Sequence, residues 1–134
     1  MEMVTREDLQ RLQTYNERLR SLEQQKERIR DSVTNMTQRM TGMPHGSDGH
    51  DRMMAFVARL DELESQFDAL IVQQAELRLK VERALTELPE QQERVLRLRY
   101  IDACSWRQVA RWTHYDERHL RRIHNAALAR LRGL

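Results

Sequence analysis

The chain has 134 residues, room for one domain or for a small domain with an elongated appendage. Hydrophobic residues make up 40% and charged residues 33%, with only four Gly and two Pro. So few breakers suit long solvated helices better than a β-sandwich, which needs turn residues every ~8–12 positions. The longest uncharged apolar stretch, Ala69-Leu70-Ile71-Val72, is far shorter than the roughly 20 residues of a membrane span. No signal-type apolar core follows Met1, and the lone Cys104 has no internal disulfide partner. The expectation is a cytoplasmic protein that engages no membrane.

Charge is unevenly spread. Residues 1–88 carry 13 Lys and Arg against 16 Asp and Glu, a net of −3. Residues 89–134 carry 10 Arg against 5 acids, a net of +5, with His114, His119 and His124 as reserve charges. A basic module on a mildly acidic stalk points to a polyanion partner. Coding bias is the competing explanation, since Arg outnumbers Lys 21 to 2, and the motifs have to decide.

Residues 1–88 read as an antiparallel coiled-coil hairpin with its loop near 41–50. Gly42, Pro44, Gly46 and Gly49 fall in that stretch, and about 35 residues on either side lack both breakers. Leu12, Tyr15, Leu19, Leu22, Lys26, Ile29, Val33, Met36 and Met40 step by three and four residues before the loop. Leu60, Leu63, Phe67, Leu70, Gln74, Leu77, Val81, Ala84 and Leu88 do so after it. Lys26 and Gln74 are the polar interruptions of the two stripes, of the kind that fixes register. Each run predicts a helix ~50 Å long, at about 1.5 Å per residue. Thr5 with Asp8, and Ser47 or Asp48, are the expected N-caps. Ile71, Val72, Leu79 and Leu85 lie beside the stripe. They are available to pack on the C-terminal module or on a second protomer in a homodimer.

Leu88-Pro89 opens the second module, residues 89–134. Pro suits a first helical position, and Glu90 and Glu93 suit the positive end of a helix dipole. Val95, Leu96, Leu98, Tyr100 and Ile101 offer an apolar face. After Asp102-Ala103-Cys104, Ser105-Trp106-Arg107-Gln108 has the form of a capping box. It opens a helix over Trp106–Thr113 with Val109 and Ala110 inward and Arg107 and Arg111 outward. His114-Tyr115 breaks the chain, and Asp116 caps a last helix from Glu117 to Arg132. That helix turns Leu120, Ile123, Ala127, Leu128 and Leu131 to one face, and Glu117, Arg118, Arg121, Arg122 and Asn125 to the other. Trp106 and Trp112 are expected to fill the module's core. The fold class is therefore all-α: a long helical hairpin followed by a compact helix-turn-helix.

The residue types fit double-stranded DNA. A major groove about 12 Å wide admits one helix, whose first two turns reach base edges. Arg118, Arg121 and Arg122 can grip guanine bidentately and Glu117 can accept from cytosine. Arg107, Arg111, His119 and Asn125 are assigned to phosphate.

From Leu88-Pro89-Glu90, through Arg94-Val95-Leu96-Arg97-Leu98-Arg99-Tyr100 and Ser105-Trp106-Arg107-Gln108-Val109-Ala110, to Leu120-Arg121-Arg122-Ile123-His124 and Ala127-Leu128-Ala129-Arg130-Leu131, the chain resembles region four of bacterial sigma factors. That resemblance implies binding to a −35 promoter element and contact with RNA polymerase. It departs at His114, where the family commonly has Gly; His tolerates positive φ better than most non-Gly residues. The front two-thirds has no aromatic-rich, promoter-melting region. With Met40-Thr41-Gly42-Met43-Pro44 between two long helices, it is similar to small phage and prophage proteins related to late-gene transcription regulators.

Two functions from different classes stay open. One is a sequence-specific transcription regulator, phage-derived, acting with host RNA polymerase holoenzyme. The other is a DNA-packaging component of the small-terminase type. No nucleophile elbow, phosphate loop or nucleotide-binding glycine pattern supports catalysis, so no enzyme is expected. Asp61, Glu62 and Glu64 read as a solvated acidic patch. His45, His50, His119, His124 and Cys104 lack ligand spacing, so neither metal nor cofactor is expected.

Overall fold

The computed structural model describes residues 3–40 and 47–132 and is all-helical there. Helix α1 spans Arg6–Met40 and α2 spans Ser47–Leu85, forming the long hairpin; α3 (Glu90–Leu96) continues into a π-helical turn, Arg97–Ile101, and α4 (Trp106–Thr113) and α5 (Glu117–Leu131) complete the C-terminal module. The Gly- and Pro-containing residues 41–46, expected in the loop, lie outside the described residues. Ser47–His50, expected in the loop, form the first turn of α2 instead, so neither Ser47 nor Asp48 precedes that helix. Gly49 costs a helix interior roughly 0.5–1 kcal/mol relative to Ala, too little to stop a helix of this length.

Contacts divide the chain into two compact units: Met1–Asn16 with Gln73–Leu134, and Glu17–Val72. In the first unit, the base of the hairpin and the C-terminal module share one hydrophobic core. Val4, Leu9 and Leu12 from the start of the chain meet Leu77, Val81 and Leu85 of α2. The same core takes in Val95, Leu96, Val109, Leu120, Ile123 and Leu128 of the module. Leu85, placed by periodicity beside the seam, is fully buried here. Of the alternatives open to it, the intramolecular one holds. Leu79 remains exposed.

Polar contacts fix how α1, α2 and the π-turn meet in this unit. The Thr5 hydroxyl accepts from the Asp8 amide at 3.2 Å and the Asp8 carboxylate accepts from the Thr5 amide at 3.1 Å, capping α1. Lys80 Nζ pairs with the same carboxylate at 3.2 Å. Burial raises the pKa of Asp8, but the Thr5 amide, Lys80 and Arg11 outweigh it and hold the group below the ordinary carboxylate value. Gln74, the polar interruption of the α2 stripe, donates to Asn16 Oδ1 at 3.1 Å. Asn16 in turn donates to the Tyr100 carbonyl at 3.1 Å. This chain of amides ties both hairpin helices to the π-turn and allows one register.

The second unit, Glu17–Val72, is a two-helix segment with a single seam. Lys26 is buried in it, its ammonium 4.1 Å from the Phe67 ring centroid and 3.3 Å from Glu23. Arg30 pairs with Glu64 across the helices at 3.3 Å. Ile71 and Val72 are exposed. Among the described residues, no helix is long and apolar enough to cross a membrane.

Candidate nucleic-acid interface

Local chemistry fixes the two helices of the interface. At the start of α4, the Ser105 hydroxyl accepts from the Gln108 amide at 3.2 Å and Gln108 Oε1 accepts from the Ser105 amide at 2.9 Å. This closes the capping box and satisfies two of the donors a helix N-terminus leaves free. At the other end, Thr113 is buried and donates to the Val109 carbonyl at 2.7 Å. His114 then takes φ 63° and ψ 23°, and its N–H bonds the Ala110 carbonyl at 2.8 Å. This is the left-handed helix stop for which Gly is usual. Asp116 caps α5 by accepting from the His119 amide at 2.7 Å. Leu120, Ile123, Ala127 and Leu128 anchor α5 in the core.

With that face buried, Glu117, Arg118, Arg121, Arg122 and Asn125 all lie exposed on the remaining surface of α5, and Arg107 and Arg111 lie exposed on α4. His119 is half-buried, its ring centroid 4.5 Å from that of Tyr115. Arg121 pairs with Glu117 at 2.9 Å, one turn apart and in open solvent. Exposed pairs of this spacing contribute about 0.3–0.5 kcal/mol, so either partner can exchange it for a nucleic-acid contact.

The assigned residues separate into two groups. Arg107 of α4 and Glu117, Arg121 and Asn125 of α5 line one groove of about 610 Å³, together with half-buried Trp106 and His124. Arg111, Arg118, His119 and Arg122 are outside it. Arg6 of α1 also lines the groove, and nothing in its local sequence marks it out. It sits in a different helix, beside a cap, and only the shared core brings it here.

Two expectations are corrected. His124 is no reserve charge: it is half-buried, its Nε2 is 2.7 Å from the Tyr100 hydroxyl, and its ring meets Trp106 edge-on at 5.1 Å. Burial, then the charges of Arg6 and Arg99, lower its pKa from the ordinary value. Burial raises that of Tyr100 despite the same two arginines. Trp112 does not fill the core but is 64% exposed, its carbonyl accepting from Arg94 at 3.1 Å. At about 100° per residue, Trp106, Val109, Ala110 and Thr113 share one sector of α4, and Trp112 lies outside it. Trp106 is packed against the core, with the Arg99 guanidinium 4.9 Å from its ring centroid.

The sequence comparison agrees with this geometry. Residues 78–131 match the family model for sigma-70, region 4. The match covers less than half of the chain and takes in the end of α2 as well as α3, the π-turn, α4 and all of α5. No curated protein and no solved structure gave a match. The C-terminal module carries a sigma-factor-like helix-turn-helix, a DNA-binding fold, with α5 as its second helix. Among the described residues, no group of three or more His, Cys, Asp or Glu side chains is placed to hold a metal ion.

Proposed function

We propose that the protein is a sequence-specific, DNA-binding regulator of transcription, without enzymatic activity, that derives from a phage and works on host RNA polymerase holoenzyme. The observation that carries this reading is the exposed row Glu117, Arg118, Arg121, Arg122 and Asn125 on a helix whose start and opposite face are both fixed, within residues that match sigma-70, region 4. In this reading, Arg118, Arg121 and Arg122 take guanine edges and Glu117 takes a cytosine amine. Arg107, Arg111, His119 and Asn125 hold phosphate and set the register of α5 in the major groove. Two copies paired through the exposed Ile71 and Val72 would present two such helices to neighbouring half-sites.

The aromatic residues support dependence on a separate sigma factor. Strand capture stacks bases on exposed rings, at ~1–3 kcal/mol per base. Tyr15, Phe56, Phe67, Tyr100, Trp106 and Tyr115 are all buried or half-buried, leaving Trp112 as the exposed aromatic side chain among the described residues. One ring makes no melting surface. The test is transcription in vitro from a duplex selected by the protein, with core polymerase or with holoenzyme. The expected result is altered output with holoenzyme and no specific initiation with core polymerase. Promoter-dependent initiation from core polymerase and this protein alone would overturn the reading. So would ring assembly on DNA without any effect on transcription, which is the packaging outcome.

A further inference from the structure

We propose that Arg6, the first residue of α1, is a phosphate-anchoring residue of the DNA interface. The proposal rests on the reading of the C-terminal module as a duplex-binding one and extends that interface to the other end of the chain. Arg6 lines the same groove as Arg107, Glu117 and Arg121, although it belongs to a different helix. It is exposed, and among the described residues its side chain has no ion pair or hydrogen bond of its own. The adjacent carboxylate of Asp8 is already engaged by the Thr5 amide, Lys80 and Arg11. Across the groove, Glu117 is taken by Arg121. The guanidinium groups of Arg6 and Arg107 are thus left without a carboxylate, in a concavity bordered by the recognition helix. A polyanion supplies what they lack.

The backbone beneath Arg6 is fixed, as an anchoring contact requires. Val4 and Leu9, on either side of it, are fully buried in the same core as Leu120 and Ile123 of α5. The Thr5–Asp8 cap then defines the first turn of α1. The Arg6 charge is also felt at His124 and Tyr100, which places it against the module. Phosphate rather than a base edge is its partner, because the groove face of α5 already carries Glu117 and Arg121 for base edges, with Asn125 beside them for phosphate. Contacts from elements flanking a recognition helix position the duplex without reading it.

The test measures affinity across a salt titration for wild type, Arg6→Ala and Arg6→Lys, on the selected duplex and on a scrambled duplex of equal length. Helical circular dichroism and tryptophan fluorescence serve as controls for folding. Arg6→Ala is expected to weaken both duplexes by the same factor and to flatten the slope of log K against log salt by about 0.9, the value for one phosphate. Arg6→Lys keeps the wild-type slope. An unchanged slope and affinity in a folded Arg6→Ala protein would overturn the proposal, as would a loss confined to the selected duplex. Failure of the wild-type protein to bind either duplex would instead overturn the DNA reading itself, and this proposal with it.

Discussion

The two compact units use the same kind of helix to different effect. In Met1–Asn16 with Gln73–Leu134, Leu9, Leu12, Val81, Leu85, Leu96 and Val109 reach full burial. In Glu17–Val72, Leu63 is the one described apolar side chain that does so; Leu19, Leu22, Ile29, Val33, Phe67 and Leu70 along its seam are only partly buried. The reason is geometric. Two helices share a single stripe, and a side chain on that stripe keeps one flank in water. Adding α3, α4 and α5 closes that flank in the first unit. Full burial of a Leu side chain is worth ~1.5–3 kcal/mol, and a half-buried one gains correspondingly less. The unit that carries the helix-turn-helix is the one with the closed core. Even the seam of the other unit contains a buried Lys26, whose ammonium rests on Phe67, a choice that favours register over stability.

The largest expected effect tests that difference directly. Leu96→Ala removes a fully buried side chain of the first unit and should cost about 2–5 kcal/mol. Leu70→Ala in the second unit should cost about 1 kcal/mol, because its side chain is only partly buried and gains correspondingly less. Both tryptophans, Trp106 and Trp112, belong to the first unit, whereas helical circular dichroism reports on both. Urea unfolding followed by the two signals should therefore show a larger shift of the fluorescence transition for Leu96→Ala. Equal shifts for the two variants would erase the distinction between the units.

A smaller effect sharpens the comparison through pH. The pKa of His124 is lowered in the folded chain, chiefly by burial. Above the unfolded value, near 6.5, both states are neutral and the contribution of this site is fully present. As pH falls below that value, the unfolded chain takes up a proton that the folded chain resists, so stability is lost until folded His124 also titrates. Asp8, also lowered, acts in a separate window, its contribution being lost only as pH falls through 3.8 and below. The fluorescence-monitored stability should thus decline from pH 7 to pH 5, and His124→Asn should flatten that decline. A variant with the wild-type slope would show that another group is responsible.

What the sequence reveals here is governed by distance along the chain. The Ser105–Gln108 capping box, the Asp116 cap, the Thr5–Asp8 pair and the bounds Trp106–Thr113 all depend on residues within about one turn of one another, and the structure forms each of them. Even the left-handed His114 follows from its place between two capped helices. The hairpin is legible because its stripes repeat over many turns. What escapes the sequence depends on distant neighbours. The π-turn Arg97–Ile101 has no local signature; the Tyr100 carbonyl within it is bonded by Asn16, 84 residues away. Ala103, with φ 57°, lies in the link Asp102–Cys104, where no Gly announces the turn. Leu85 takes the intramolecular one of its two alternatives because the core runs over the base of the hairpin, whereas Trp112 leaves its expected place in the core because it lies off the buried sector of α4. Arg6 joins the groove for the same reason.

The central claim is that the exposed face of α5 reads duplex DNA. It is tested most directly by measuring the affinity of Arg118→Ala/Arg121→Ala/Arg122→Ala for the duplex that the wild-type protein selects, beside a scrambled control. Each base-contacting Arg should contribute about 1–3 kcal/mol. The triple variant, which leaves the buried face of α5 untouched, should therefore lose its preference for the selected duplex while remaining folded. A folded triple variant that binds the selected duplex as tightly as wild type would contradict the account.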